Sequence, residues 1–446
     1  MPLACGALLA WLDTPPIESL LMTPTTTPSP QDFASPGFWV APQDHAGLVV
    51  TRLQAAHPSI AINGIRMASP HAPWRDAELA LPGLLHHRVV HLYGCALGHV
   101  PTLLLKSSEY LETLKVHILN AQAFDIQRDH MAHADWLDDP RVQVRVAQAS
   151  DKPDRQAALH ISLPDLQLID PALWRLRDRL HAHINQRFVD SAFEAHDVRL
   201  QNLMQANATL LRTDLPVQAL YGRQIPHTAH IIGSGPSLEH SIERLRGMVF
   251  GPQTPWVIAV DTAFAALQKA GIPVNCVVSI EKKIHARWLP TEHSDGVALV
   301  YSPVVPNDVL LAWKGPRYAS FTQTALHRSA PHFDAKACLF CGGSVVHTAT
   351  DVAVRMGFTD ICFWGVDLSY PNGKTHAYWP SGELGGHPTR SGHWVIDGLG
   401  QQVPSSPSFA NYLAELEDQI ARHPEIRFFN SSQQGAAIAG TQYLPE

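Results

Sequence analysis

Thr228-Ala229-His230-Ile231-Ile232-Gly233-Ser234-Gly235-Pro236-Ser237-Leu238 is the stretch on which the fold turns. An apolar run of strand length feeds a glycine-rich turn, and a helical pattern opens at Leu238. Gly233 and Gly235 permit positive φ or close approach of backbone to a ligand. Pro236 fixes the turn, and Ser237 is a residue type that caps helices. Strand, tight turn and helix in that order make the first half of a βαβ unit, which implies a parallel sheet. The N–H groups of such a helix's first turn can receive an anion. The same residues also serve as a plain strand-to-helix turn. The Lys of a triphosphate-binding loop is missing, which disfavours NTP hydrolysis.

The pattern repeats toward the C-terminus. Trp256–Val260 reads as a strand ending in Asp261-Thr262, and the helix Ala263–Ala270 is stopped by Gly271 and Pro273. Val274–Ile280 ends in Glu281, and Val297–Tyr301 is another strand. Ala337–Phe340 precedes Gly342-Gly343-Ser344 and a helix to Met356. Asp360–Trp364 ends in Gly365-Val366-Asp367, a helix runs near Phe409–Ala421, and Ile426–Phe429 is the last strand. This predicts a doubly wound, Rossmann-like α/β domain over residues 226–446, with ligands at the carboxyl ends of its strands. Those ends collect Gly233–Ser237, Asp261, Thr262, Glu281, Gly343, Ser344 and Asp367. Asp261 and Glu281 suit ribose hydroxyls, a base or a metal, and equally suit a helix cap or a surface charge. Downstream of Asp367, Tyr370 and His376 flank a Pro-Asn-Gly turn. Tyr and His can hydrogen-bond a departing phosphate, and His can take a proton near neutral pH. With 26 histidines in the chain, His376 and the later His393 compete with many structural ones.

Working toward the N-terminus, residues 166–225 predict a helical linker. Trp174, Leu176, Leu180, Ile184, Phe188, Phe193, Leu200 and Leu203 recur at three- and four-residue spacings, and no Pro or Gly lies between Pro171 and Pro216. Residues 46–165 predict a smaller Rossmann-like domain with strands at Val89–Tyr93, Lys115–Leu119 and Val142–Val146 and a helix from Val100 to Thr113. Gly94-x-x-x-Gly98 follows the first of these strands. A dinucleotide site would carry an acid at the end of the second, where Asn120 stands, so a domain without a ligand is the reading preferred there. Residues 1–45 are rich in Pro, Thr and Ser and read as a flexible leader, with Met22 as an alternative initiator.

Composition narrows the function classes. The 446 residues are 45% apolar and 16% charged, enough for two or three packed domains. The net charge of −7 is spread without a basic stripe, which argues against nucleic acid as a partner. No apolar run reaches the ~20 residues of a membrane span, and the apolar stretch Leu3–Leu12 lacks a basic start. A cytoplasmic protein without membrane insertion is expected. Six cysteines suit a reducing compartment. Cys338-Leu339-Phe340-Cys341 has no partner pair to complete a zinc site, so it reads as a buried strand and no metal site is expected.

An ordered set of motifs resembles the Maf (motility-associated factor) flagellin glycosyltransferases, which contain an MptE-like, 6-hydroxymethylpterin-diphosphokinase-type domain. The set runs from Ile231–Leu238 through Ile258–Ala263, Gly271–Pro273, Val278–Glu281, Gly342–Val345 and Gly365–Tyr370 to Phe429-Asn430 and Gly435–Gly440. It covers residues 226–446, and the Gly94 region is similar to the same family's N-terminal domain. The GxGPSL loop and the Asp–Tyr block are also similar to bacterial sialyltransferases that use CMP-sialic acid.

The resemblance implies transfer of a nonulosonic acid of the pseudaminic or legionaminic type. It would pass from a CMP-sugar donor to Ser or Thr of flagellin, with inversion and without a tightly bound cofactor. By that analogy Gly233, Ser234, Gly235, Pro236, Ser237, Gly343 and Ser344 lie along the CMP phosphate and ribose. Asp261, Thr262, Glu281 and Asp367 line the nucleotide or sugar. Tyr370 and His376 face the leaving phosphate, with His376 where the sialyltransferases tend to have a second Tyr, and His393 is a candidate base. Two alternatives stand beside it. One is pyrophosphoryl transfer from ATP to a pterin alcohol, with Asp261, Glu281 and Asp367 holding Mg²⁺. The other is a non-catalytic flagellin-binding protein.

Overall fold

The computed structural model describes residues 43–45, 47–53, 57, 59–154, 157–192, 197–222, 228–251, 254–285, 287–378 and 393–445. Residues 1–42 of the expected leader, Met22 and Phe193 lie outside the described residues, and residues 43–45 form a strand rather than leader. The chain divides into two compact units, residues 1–183 and 184–446.

The first unit opens with an antiparallel meander that the sequence reading did not resolve. Its strands are β1 (Gln43–His45), β2 (Leu48–Leu53), β3 (Ser59–Ile62) and β4 (Ile65–Arg66). A parallel sheet follows, built from β5 (Val89–Tyr93), β6 (Thr113–Ile118), β7 (Val142–Val146) and β8 (Ala158–Ile161) in the order β7-β6-β5-β8. The helix after β5 runs His99–Ser107, six residues shorter at its C-terminus than the pattern suggests, because Thr113 already belongs to β6. Val90, Leu92, Leu104, Leu114, Val116 and Trp136 form one buried core. The meander packs on a second, which includes Leu97 and Ile126.

The Gly94 turn of this unit is filled from within. The Ala96 N–H donates to the Asp165 carboxylate at 2.8 Å, as does the Gln127 amide at 2.9 Å, and the Ser162 hydroxyl completes the set. Burial pushes the Asp165 carboxyl up, against those hydrogen bonds. Asn120 caps the helix Ala121–Arg128 by accepting the Ala123 N–H at 3.1 Å.

The second unit is a nine-stranded, wholly parallel sheet. Its strands are β9 (Leu215–Pro216), β10 (Thr228–Ile232), β11 (Trp256–Val260), β12 (Cys276–Ser279), β13 (Ala298–Tyr301), β14 (Arg317–Ala319), β15 (Asp360–Trp364), β18 (Arg427–Asn430) and β19 (Thr441–Tyr443). They lie in the order β19-β18-β15-β10-β11-β12-β13-β14-β9. Both faces of such a sheet are covered, which is why β10–β13 and β15 are near-continuous apolar runs. A hairpin of β16 (Trp394–Ile396) and β17 (Gln402–Pro404) sits apart from the sheet.

The chain leaves β10 in one direction to lay down β11 to β14, then returns to add β15 on its other side. Right-handed crossovers running in opposite directions place the helices Leu238–Val249 and Val345–Met356 on opposite faces. The switch point between β10 and β15 is therefore the crevice where a ligand is expected.

Residues 166–225 divide between the units. Trp174–Ala192 is one helix, and Val198–Ala206 and Ala208–Thr213 are two more. Asn207 donates from its amide to the carbonyls of Pro303 and Val305, each at 2.8 Å. Asp214 makes a bidentate ion pair with Arg317 and accepts the Tyr301 hydroxyl at 3.0 Å. These bonds build the last helices and β9 into the second unit. Among the described residues no helix is long and apolar enough to cross a membrane.

Candidate active site

The carboxyl edge of β10, β11, β12 and β15 gathers most of the sequence-predicted residues. After β10 the chain presses against the turn after β15. The Gly233 N–H donates to the Trp364 carbonyl and the Gly235 N–H to the Gly365 carbonyl, both at 2.7 Å. A side chain at Gly235 would come within 2.6 Å of the Gly365 oxygen. Pro236 and Ser237 are buried at this seam, while Ser234 and Gly235 keep some exposure.

Ser237 does not cap the helix Leu238–Val249 with its side chain. Its N–H donates instead to the Asp367 carboxylate at 2.8 Å. Asp367 is held on its other side by Gly435, where a side chain would lie 2.6 Å from the Asp367 Cα, and its carbonyl accepts the Ala436 N–H at 2.7 Å. Burial pushes the Asp367 carboxyl up, opposed by Ser237. Leu368, which follows, has φ +47°, and the Ser405 hydroxyl holds its carbonyl at 2.9 Å. Three stretches distant in sequence thus close on one carboxylate.

Next along the edge, the Ser234 and Thr262 hydroxyls meet at 2.8 Å. Asp261 is the first residue of its helix rather than the cap, which is Val260. Its buried carboxylate accepts the Thr262 N–H and the Ser279 hydroxyl, both at 2.8 Å. Burial raises it to about 6 against those bonds, and the nearby Glu281 charge adds to the rise. Glu281 is half-buried and accepts the Lys283 N–H at 2.8 Å.

Beyond Glu281 stands Tyr412, on the helix Pro407–Ala421, which sequence reasoning missed. A side chain at Gly343 would sit 2.6 Å from its ring. Burial, then Cys341 and Glu281, raise its phenol. No sequence signal marks it, since a Tyr in an amphipathic helix reads as core. Ser344 forms a capping box with His347, whose Nδ1 accepts the Ser344 N–H at 3.2 Å and whose Nε2 therefore donates to the Tyr412 carbonyl at 2.9 Å. Burial lowers His347 to about 4, so it is neutral at pH 7.

His376 lies on a short strap, residues 374–378, that crosses the glycine-rich loop. The Ala377 N–H donates to the Ser234 carbonyl at 2.8 Å. Burial lowers His376 to about 4, so its imidazole is neutral at pH 7. Tyr370 and His393 are tied to the hairpin. Tyr370 is buried against Phe409, its N–H bonded to the Pro404 carbonyl, and the His393 carbonyl accepts the Ser405 N–H at 2.9 Å. Cys338 is bridged to Phe321 at the edge of the fold rather than lying in a strand, and it and Cys341 are free thiols. Among the described residues no three His, Cys, Asp or Glu side chains converge as a metal site.

Residues 201–373, which hold this edge from β10 to the Asp367 block, match the family described as 6-hydroxymethylpterin diphosphokinase MptE-like. This stretch is similar to MptE-like domains. The match begins in the helix Val198–Ala206, consistent with the bonds that join Asn207 and Asp214 to the sheet, and ends just before the strap. Among solved structures, a Maf glycosyltransferase from Magnetospirillum magneticum AMB-1 is similar at 16% identity and TM-score 0.43, over 87% of this chain and 68% of that one. A spermidine synthase from Thermotoga maritima is similar at 17% identity and TM-score 0.22, over 25% of this chain and 42% of that one. A spermidine synthase in complex with a transition-state analogue gives 15% identity and TM-score 0.25, over 31% and 51%. No curated protein matches significantly.

Proposed function

We propose that the MptE-like domain is the catalytic part of a cytoplasmic glycosyltransferase that moves a nonulosonic acid from a CMP donor to Ser or Thr of flagellin. The observation that carries this reading is the Ser234–Thr262 hydroxyl pair. It is partly exposed, bridges the ends of β10 and β11, and lies beside the β10/β15 switch point. Of two hydroxyls bonded to each other at 2.8 Å, one keeps a proton to aim at a phosphate oxygen, and hydrogen bonds to charged groups are the strong ones. The ordered motifs that resemble the Maf family support the choice of donor and acceptor.

In this account Ser234 and Thr262 hold the donor phosphate. Gly233, Gly235, Pro236, Ser237 and Asp367 shape the loop that presents Ser234. Glu281 faces the ribose or sugar hydroxyls, the buried Asp261 holds Thr262 and Ser279 in place, and Gly343, Ser344 and Tyr412 form the far wall. The acceptor oxygen attacks the anomeric carbon, the bond from that carbon to the phosphate oxygen breaks, and CMP leaves with the electron pair. His376 donates a hydrogen bond to the departing phosphate, stabilising charge where it develops. The acceptor's proton passes to a base, for which His393 is the candidate. The Tyr370 carbonyl accepts the Gly373 N–H at 3.0 Å in the turn that leads into the strap.

The family's description favours a second reading, transfer of pyrophosphate from ATP to a pterin alcohol with Mg²⁺ on Asp261, Glu281 and Asp367. Asp261 and Asp367 each already accept bonds from their own loops, so metal binding would require both to be released. Mass spectrometry of flagellin from a strain lacking the gene tests the first reading. Loss of the glycan mass is expected, and an unchanged mass would refute it.

A further inference from the structure

The strap that carries His376 is tied to the glycine-rich loop by one side chain that no motif singles out. Glu239 is in the first turn of the helix Leu238–Val249, two residues past Ser237. One of its carboxylate oxygens accepts the Tyr378 N–H at 2.7 Å, and the other accepts the Lys374 ammonium at 2.7 Å. Between those two points the Ala377 N–H reaches the Ser234 carbonyl at 2.8 Å. The strap is therefore fastened at both ends to Glu239 and in the middle to Ser234. Tyr378 adopts φ +61°, a conformation that an L residue holds only when its surroundings fix it. The Lys374 side chain is half exposed and Glu239 mostly covered, so the carboxylate is the fixed partner.

From this geometry we infer that Glu239 is a positioning residue for the transfer proposed above: it sets the strap, and so His376, against the phosphate held at Ser234 and Thr262. The inference rests on that reading of the site. Glu239 touches neither donor nor acceptor. Its carboxylate matches the two kinds of donor the strap offers, a backbone amide and an ammonium, with one oxygen for each.

The position also explains the local sequence. An acid in the first turn of a helix is favoured by the helix dipole in any case, so Glu239 is indistinguishable in the sequence from an ordinary helix-start residue. Only the fold brings Lys374 and Tyr378 back to it, 135 and 139 residues later.

The test uses Glu239→Ala, Glu239→Gln and Lys374→Ala in the full chain. Exchange of the amides in a peptide spanning residues 374–378 is read by hydrogen–deuterium mass spectrometry. Affinity for CMP is read by calorimetry, and transfer from a CMP-sugar by steady-state kinetics. Glu239→Ala should speed exchange at Ala377 and Tyr378 and lower kcat about tenfold or more, since small misplacements of a reacting group cost that much. The donor KM should stay within about twofold. Glu239→Gln keeps a carbonyl for the Tyr378 N–H and should recover part of both effects, and Lys374→Ala should give the smaller fall. CMP binding by the parent with unchanged kcat in Glu239→Ala would overturn the inference alone. Equal losses of kcat in the Ala and Gln variants with no change in exchange would do the same. Absence of CMP binding by the parent would overturn the donor reading and this inference together.

Discussion

The Ser237 N–H donates to the Asp367 carboxylate at 2.8 Å, so the position that an anion would take at the start of the helix Leu238–Val249 is held by the protein's own acid. The first unit has the same arrangement, with the Asp165 carboxylate accepting the Ala96 N–H inside the Gly94 turn. In both units a glycine-rich turn is closed by a side chain from later in the chain. In the proposed transfer a donor phosphate would therefore be met by what remains open, the hydroxyls of Ser234 and Thr262.

Replacing Asp367 by Ala should empty the space between Gly235 and Gly435 and leave the Ser237 N–H buried without its acceptor. A cost of about 2–4 kcal/mol is expected from the unsatisfied donor and the cavity. Asp367→Asn retains a carbonyl oxygen and removes a buried charge, so it should cost less. Urea unfolding of the two variants against the parent checks the order, and an equal loss in both would contradict it.

Gly365 has φ +60°, and a Cβ there would stand 2.6 Å from the Gly233 oxygen and 3.0 Å from Leu238. The Gly365→Ala variant should lose about 2–4 kcal/mol in urea unfolding, from strain and from separating the two turns. A midpoint shift under a tenth of a molar would show that the seam is not tight.

The outline of this fold could be read from sequence because strands buried on both faces are written as apolar runs. β10, β11 and β15 begin and end where Thr228–Ile232, Trp256–Val260 and Asp360–Trp364 suggest. Short strands at and next to the edge, Leu215–Pro216 and Arg317–Ala319, have no such signature, and only their partners identify them. Within the site, Asp261, Thr262 and Ser234 stand where the strand ends place them. The contacts of Tyr412, Gly435 and Glu239 are not legible, because each meets its partner only where segments far apart in the chain come together. Ser237 and Asp367 were read as two separate ligand-facing groups. Their mutual bond depends on the register of β10 against β15, which no local pattern encodes.

Asp261 gives the stability a distinctive pH dependence. Its folded pKa of about 6 lies above the ordinary 3.8, so its contribution is fully present below about pH 4 and is lost as pH rises through 6. The shift corresponds to about 3 kcal/mol. Asp261→Asn keeps the acceptor for Thr262 and cannot ionise. The difference in unfolding free energy between parent and Asp261→Asn should therefore move against the parent between pH 4 and pH 7. A difference that is flat with pH would refute the burial argument.

His230, His327 and His347 change stability in the opposite sense. Burial lowers each from 6.5 to about 4. Their contribution is present above pH 6.5 and is lost as pH falls toward 4, because the unfolded chain binds those protons first. Near pH 5 these three and His376, likewise lowered to about 4, should together take up about four protons on unfolding while Asp261 releases about one, so the slope of stability with pH in the second unit should correspond to about three protons net. Denaturant unfolding at half-unit pH steps measures it, and a slope near zero would contradict the buried, neutral assignment.

The account's central claim is that the Ser234–Thr262 pair receives the phosphate of a cytidine nucleotide. Calorimetric titration of CMP into the parent protein and into Thr262→Val tests it most directly. Saturable binding of CMP to the parent, weakened about tenfold or more in Thr262→Val through loss of one charge-assisted hydrogen bond, is the predicted result. No binding of CMP, or equal affinity in the two proteins, would contradict it.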